Sequence, residues 1–145
     1  MAISDAELLE RFPDLSVDHD NKGHYAAWLD ETLVIRSCGA CGTLHHPPRS
    51  ICPHCWSTDL TFVPVSGLAN VYLTVGLHQG PVTPEVNYEE PHTIVLADLV
   101  EQPGLRFATT YRGPRAALKI GAALSLAWEQ RRGSPYPVWK LRPDV

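Results

Sequence analysis

At 145 residues, with 44% hydrophobic and 19% charged side chains, the chain has material for one ordinary domain, or a small domain with an appendage, and lacks the polar excess of a disordered segment. Its net charge of −4 is unevenly spread: residues 1–35 hold eight acids against Arg11 and Lys22, whereas the remainder carries a balance of +2. That is far short of the basic surplus of a dedicated nucleic-acid binder.

No run approaches the roughly 18 apolar residues of a membrane span. The opening Met1-Ala2-Ile3-Ser4-Asp5-Ala6-Glu7 lacks the basic and apolar regions of a secretory signal. The expectation is a cytoplasmic protein whose thiols stay reduced and hold metal rather than pair as disulfides.

Thirteen prolines and ten glycines favour short strands and turns. Residues 4–12 predict a first short helix, with Leu8, Leu9 and Phe12 at helical intervals. Residues 20–34 predict a second, capped by Asp20 or Asn21, which sets Tyr25, Trp28, Leu29 and Leu33 on one apolar face. Two readings of that face stand side by side: packing against the chain's own barrel, or an anchor for another protein.

Residues 36–58 are dominated by Cys, Gly, Pro and His and need a metal to order them. Cys38-Gly39-Ala40-Cys41 and Cys52-Pro53-His54-Cys55 are two C-x-x-C knuckles with ten residues between them. A spacing of two turns both thiolates of a knuckle toward one ion, and two knuckles close the tetrahedral shell of a structural zinc site. A rubredoxin-like iron site uses the same four thiolates, and disulfides or a redox pair are further readings. A catalytic zinc fits poorly, because four cysteines leave no open position. His45, His46 and His54 are then read as exposed turn residues.

From Leu60 the pattern turns to strands. Val71, Leu73, Val75 and Leu77 alternate with Tyr72, Thr74 and Gly76, the period of a half-buried strand. Further strands are expected at 60–65, 93–100, 105–111, 123–130 and 137–141, with bends at Gly67 and Gly121. Residues 78–91, with Pro81, Pro84 and Pro91, read as a long mobile loop. The fold class is mainly β, with a helical segment at 1–35, a ribbon at 36–58 and a closed or nearly closed barrel of five or six strands at 59–145.

Catalytic motifs are missing: no G-x-S-x-G, H-E-x-x-H, P-loop or G-x-G-x-x-G occurs, and the knuckles take every cysteine. His92 with Glu85, Glu89 or Glu90 is a conceivable acid–base pair, read here as solvated loop residues.

The run Cys38-x-x-Cys41-Gly42, Pro47-Pro48-Arg49, Cys52-Pro53-x-Cys55, Ser57 and then Ser66-Gly67 resembles the bacterial and archaeal zinc-ribbon/OB-fold family long labelled a domain of unknown function. Trp28 with Leu33-Val34-Ile35-Arg36 looks like that family's entry into the ribbon, and Lys119-Ile120-Gly121 like its turn before a late strand. The resemblance spans about residues 20–142. The acidic stretch before residue 20 and the loop at 78–91 lie outside the family pattern.

The resemblance implies a rubredoxin-like ribbon of four cysteines with structural zinc, an OB-fold barrel, and a place beside thiolase-like enzymes, including sterol-carrier-protein-type thiolases that act as aldolases on acyl-CoA. The partner supplies the catalytic residues, while the small protein stabilises it and helps bind or channel the acyl-CoA. Tyr25, Trp28, Leu29 and Leu33 are the expected partner interface, and Arg49 and Lys119 the expected contacts to CoA phosphates. A single-strand nucleic-acid binder stacking bases on Tyr72, Phe107, Tyr111 or Trp128 is the alternative, opposed by the net negative charge. An autonomous CoA-thioester hydrolase or hydratase using His92 is a third reading.

Overall fold

The computed structural model describes residues 2–84 and 86–143. Helix α1 (Asp5–Arg11) begins where the Ser4 hydroxyl accepts the Glu7 amide, with Asp5 and Glu7 at its positive end and Arg11 at its negative end. Arg11 reaches across the fold: its Nε donates to Ser134 Oγ (3.0 Å) and its guanidinium to the Gly133 carbonyl (3.1 Å).

Helix α2 (Lys22–Trp28) is shorter than the expected 20–34. Glu31 adopts a left-handed φ of 51°, and the β-branched run at Val34 and Ile35 enters a strand instead. Asn21 does occupy the N-cap position, but its side-chain oxygen accepts the Asp18 amide (2.7 Å) and makes no capping bond.

Strands β1 (Val34–Cys38), β2 (Leu44–His45) and β3 (Leu60–Pro64) form an antiparallel sheet ordered β2-β1-β3. Cys38 ends β1, Cys41 lies in the turn to β2, and Cys52 and Cys55 lie in the connection from β2 to β3. A second antiparallel sheet holds β4 (Leu68–Leu77), β5 (His92–Leu99), β6 (Arg106–Thr110), β7 (Ala123–Arg131) and β8 (Ser134–Leu141), ordered β6-β5-β4-β7-β8.

The outer strands of that second sheet meet. Tyr111 bridges Trp139 in parallel, the Arg112 amide donates to the Trp139 carbonyl (3.0 Å), and Thr109 Oγ1 donates to the Pro137 carbonyl (2.8 Å). The sheet thereby curls into a barrel with its third and fifth strands side by side, the OB-fold order. Gly67 and Gly121 turn the chain with φ of +79° and +87°, and a Cβ at Gly67 would lie 3.0 Å from the Leu126 Cβ.

Among the described residues a buried cluster joins α1, α2 and β1 to the barrel strands. Phe12, Ile35, Val95, Ala97, Leu124 and Trp139 are fully buried and belong to a single cluster. The expected alternation along β4 fails part-way. A bulge shifts the register between Val71, opposite Ala97, and Leu73, opposite Leu96. Val71 therefore stays in the core, whereas Leu73 and Val75 are 37% and 42% exposed.

Candidate metal centre

The two knuckles repeat one backbone design. In the first, the Gly42 amide donates to the Cys38 carbonyl (2.8 Å) and the Cys38 amide to the Thr43 carbonyl (3.0 Å). In the second, the Trp56 amide donates to the Cys52 carbonyl (2.9 Å) and the Cys52 amide to the Ser57 carbonyl (2.9 Å). Amides also point at sulfur, Cys41 N–H to Cys38 Sγ (3.5 Å) and His54 N–H to Cys52 Sγ (3.4 Å), as suits thiolate acceptors.

The four Sγ atoms lie within 4.8 Å of one another. Across the knuckles, Cys38 and Cys55 are 3.5 Å apart and Cys41 and Cys52 3.7 Å apart. Zinc–sulfur bonds of about 2.3 Å in a tetrahedron set sulfur atoms about 3.8 Å apart, so the donor set fits the ion in number, chemistry and size. A disulfide needs about 2.05 Å, and all four thiols are free.

Four thiols this close cannot ionise independently. The Thr43 hydroxyl and then its backbone draw Cys41 down to about 6. At Cys55 the Ser57 amide opposes the change, but the surrounding thiols and burial push it up to about 12. A divalent cation at the centre would relieve that conflict.

The nearby histidines are not all exposed turn residues, which corrects the sequence reading. His54 is exposed, but His45 is buried and His46 half-buried. His45 ends strand β2 of the ribbon sheet, and the next residue, His46, enters the junction with α2 and β6, its ring tilted 5.0 Å from His24 and edge-on 5.4 Å from Phe107. Burial, then His24 and His45, bring His46 down to about 3, and burial likewise lowers His24. His24 donates from Nδ1 to the Val34 carbonyl (2.9 Å), its neutral tautomer. It escapes sequence reasoning, although its spacing of four from Trp28 places it on the buried helix face.

The expected partner face divides. Trp28 and Leu33 are 6% and 3% exposed and belong to this chain's core, with Trp28 edge-on to Phe12 and Tyr25. Tyr25 and Leu29 remain half-buried. Arg49 and Lys119 are both exposed, but Lys119 does not line the hollow of about 530 Å³ beside Arg49. Of the aromatic platforms, Phe107 and Tyr111 are buried, Trp128 is half-buried, and Tyr72 is exposed with the Arg106 guanidinium over its ring at 3.7 Å.

His92 Nε2 pairs with Thr110 Oγ1 (3.1 Å) rather than with Glu89 or Glu90, and Glu85 lies outside the described residues. Beside it Glu129 accepts both Arg112 (2.9 and 3.0 Å) and Arg131 (2.7 Å).

A family of ChsH2-type, rubredoxin-like zinc ribbon domains matches residues 26–61. A solved structure of an Ltp2-ChsH2(DUF35) aldolase contains a chain 32% identical to this one, with a TM-score of 0.77, over 88% of this chain and 98% of that one. The chain belongs to the ChsH2-type DUF35 family. Another DUF35 structure, of a protein with unknown function from Sulfolobus solfataricus, shares the fold at 17% identity and a TM-score of 0.62, over 94% of this chain and 96% of that one. A probable enoyl-CoA hydratase alpha subunit of Thermomonospora curvata is 34% identical over 117 residues, 80% of this chain and 35% of that protein. This DUF35 chain therefore spans about a third of that relative.

Proposed function

We propose that the chain is a non-catalytic accessory subunit of an enzyme that processes acyl-CoA, partnered by a thiolase-fold aldolase or thiolase that serves lipid or steroid side-chain breakdown. The observation that carries this reading is the likeness to the DUF35 chain of the Ltp2-ChsH2 aldolase, which is matched along almost its whole length. The chemistry of the chain supports it. All four cysteines are gathered at one centre, and His92 is engaged by Thr110.

The four cysteines hold one structural zinc ion, which ties the two knuckles together and leaves no position for substrate. Lys119, exposed beside Ile120 at 72%, is the cation we retain for the CoA phosphates. Among the described residues no helix is long and apolar enough to cross a membrane. The cytoplasmic location belongs to this proposal through the four metal-binding thiols, which suit a reducing compartment.

Affinity purification of the tagged chain from its host, with nuclease treatment and mass spectrometry, tests the reading. A stoichiometric thiolase-like enzyme is expected. Single-stranded nucleic acid retained in its place before the nuclease step would overturn it.

A further inference from the structure

The two knuckles are alike in backbone but not in the residue that follows each second cysteine. That position needs a left-handed backbone: Gly42 takes it with φ +76°, and Trp56 takes it with φ 66°. Glycine adopts this conformation freely, whereas a large side chain is strained there. The strain does not serve the core, because the Trp56 side chain is 80% exposed. Together with Arg49, Ile51 (52% exposed) and Pro53 it lines the hollow of about 530 Å³ on the ribbon tip.

We infer that Trp56 is the docking anchor of the ribbon, inserting into an apolar socket on the catalytic partner subunit whose rim carries a carboxylate for Arg49. The inference rests on the accessory-subunit reading. Strained residues that fill no core are found where a site needs them, and Trp and Arg are the side chains that dominate protein interfaces. Charge favours an acidic rim. Residues 36–58 contain no Asp or Glu, and the Arg49 guanidinium has no ion-pair partner among the described residues. A polyanion is disfavoured, since the chain as a whole is net −4.

The test uses the full chain and the enzyme that wild type recovers from the host, with affinity measured by biolayer interferometry. Trp56→Gly restores the residue that the first knuckle uses, so zinc content and Tm are expected to stay the same or rise. Its affinity for the enzyme is expected to fall by roughly 30-fold or more, the equivalent of about 2 kcal/mol. Arg49→Gln is expected to weaken binding and flatten its salt dependence.

Equal affinity of wild type and Trp56→Gly for the recovered enzyme would overturn the docking role and leave the accessory reading intact. Recovery of no enzyme by wild type would overturn the accessory reading, and the docking role with it. Binding of a dT oligonucleotide that Trp56→Gly abolishes would overturn the protein socket in favour of base stacking.

Discussion

The imidazole of His46 lies 5.0 Å from that of His24, centroid to centroid, and burial keeps both neutral at the seam between ribbon and barrel. Among the described residues the metal-binding cluster is the four cysteines and includes neither histidine. The two imidazoles act as flat aromatic spacers that pack against Phe107 and Trp28.

The pair sets an acid limit. His46 falls from 6.5 when unfolded to about 3 when folded, so the unfolded chain binds the extra proton below about pH 6.5. Stability is full above that pH and falls as the pH drops toward 3, by up to about 1.4 kcal/mol per pH unit for this residue. Urea unfolding at pH 7.5 and 5.5, with zinc content followed in parallel, is expected to show the loss. His46→Phe should remove about 1 kcal/mol of the difference. An unchanged slope in that variant would assign the acid sensitivity elsewhere.

Metal removal addresses the ribbon. One zinc per chain and a colourless protein are expected from elemental analysis. Cys38→Ser or Cys52→Ser, at the two buried ligands, should release the ion, lower Tm by more than about 10 °C and expose the ribbon to protease. A red, iron-bearing protein would contradict the structural zinc.

Trp28 distinguishes core from interface. Its ring meets Phe12, Tyr25 and Tyr136, so Trp28→Ala is expected to cost about 3–5 kcal/mol. Leu29→Ala, at the half-buried neighbour, should cost less than half as much. Chemical denaturation of both variants checks the ranking, and a Trp28→Ala protein of wild-type stability would return the residue to the interface.

The Arg112–Glu129–Arg131 cluster stitches the strand ends. Burial alone would raise Glu129, but both guanidinium groups hold it below its ordinary value. Its contribution is therefore present above pH 4.5 and lost as the pH falls below it. Because the side chains are 22–34% exposed, Glu129→Gln is expected to cost only about 1–2 kcal/mol at pH 7 and less at pH 4. Unfolding curves at the two pH values give the comparison.

The sequence announces what is local. The C-x-x-C knuckles, the turns at Gly67 and Gly121 and the strands from Leu60 onward are visible because spacing alone carries them. Three features are not local. Helix α2 overshoots in the reading because Leu33 keeps the apolar spacing after Glu31 has broken the helix. The β4 bulge between Val71 and Leu73 turns apolar residues outward without altering the alternation that signals a strand. The burial of His24 and His46 depends on Phe107, some sixty residues or more away along the chain. Of the candidate sites the cysteine cluster is legible from spacing, while the anticipated partner face is half core, and Trp56 escapes notice because its backbone angle has no signature in residue type.

The bond from Arg11 to Ser134 spans 123 positions. A ribosome delivers Leu8 and Phe12 long before the β7–β8 hairpin to which α1 is tied has emerged. Helix α1 therefore has no finished surface to bury against until the β7–β8 turn has been made. Until then Phe12 has only Tyr25 and Trp28 of α2 to meet, and a change that removes β8 would be felt at α1, more than a hundred positions away.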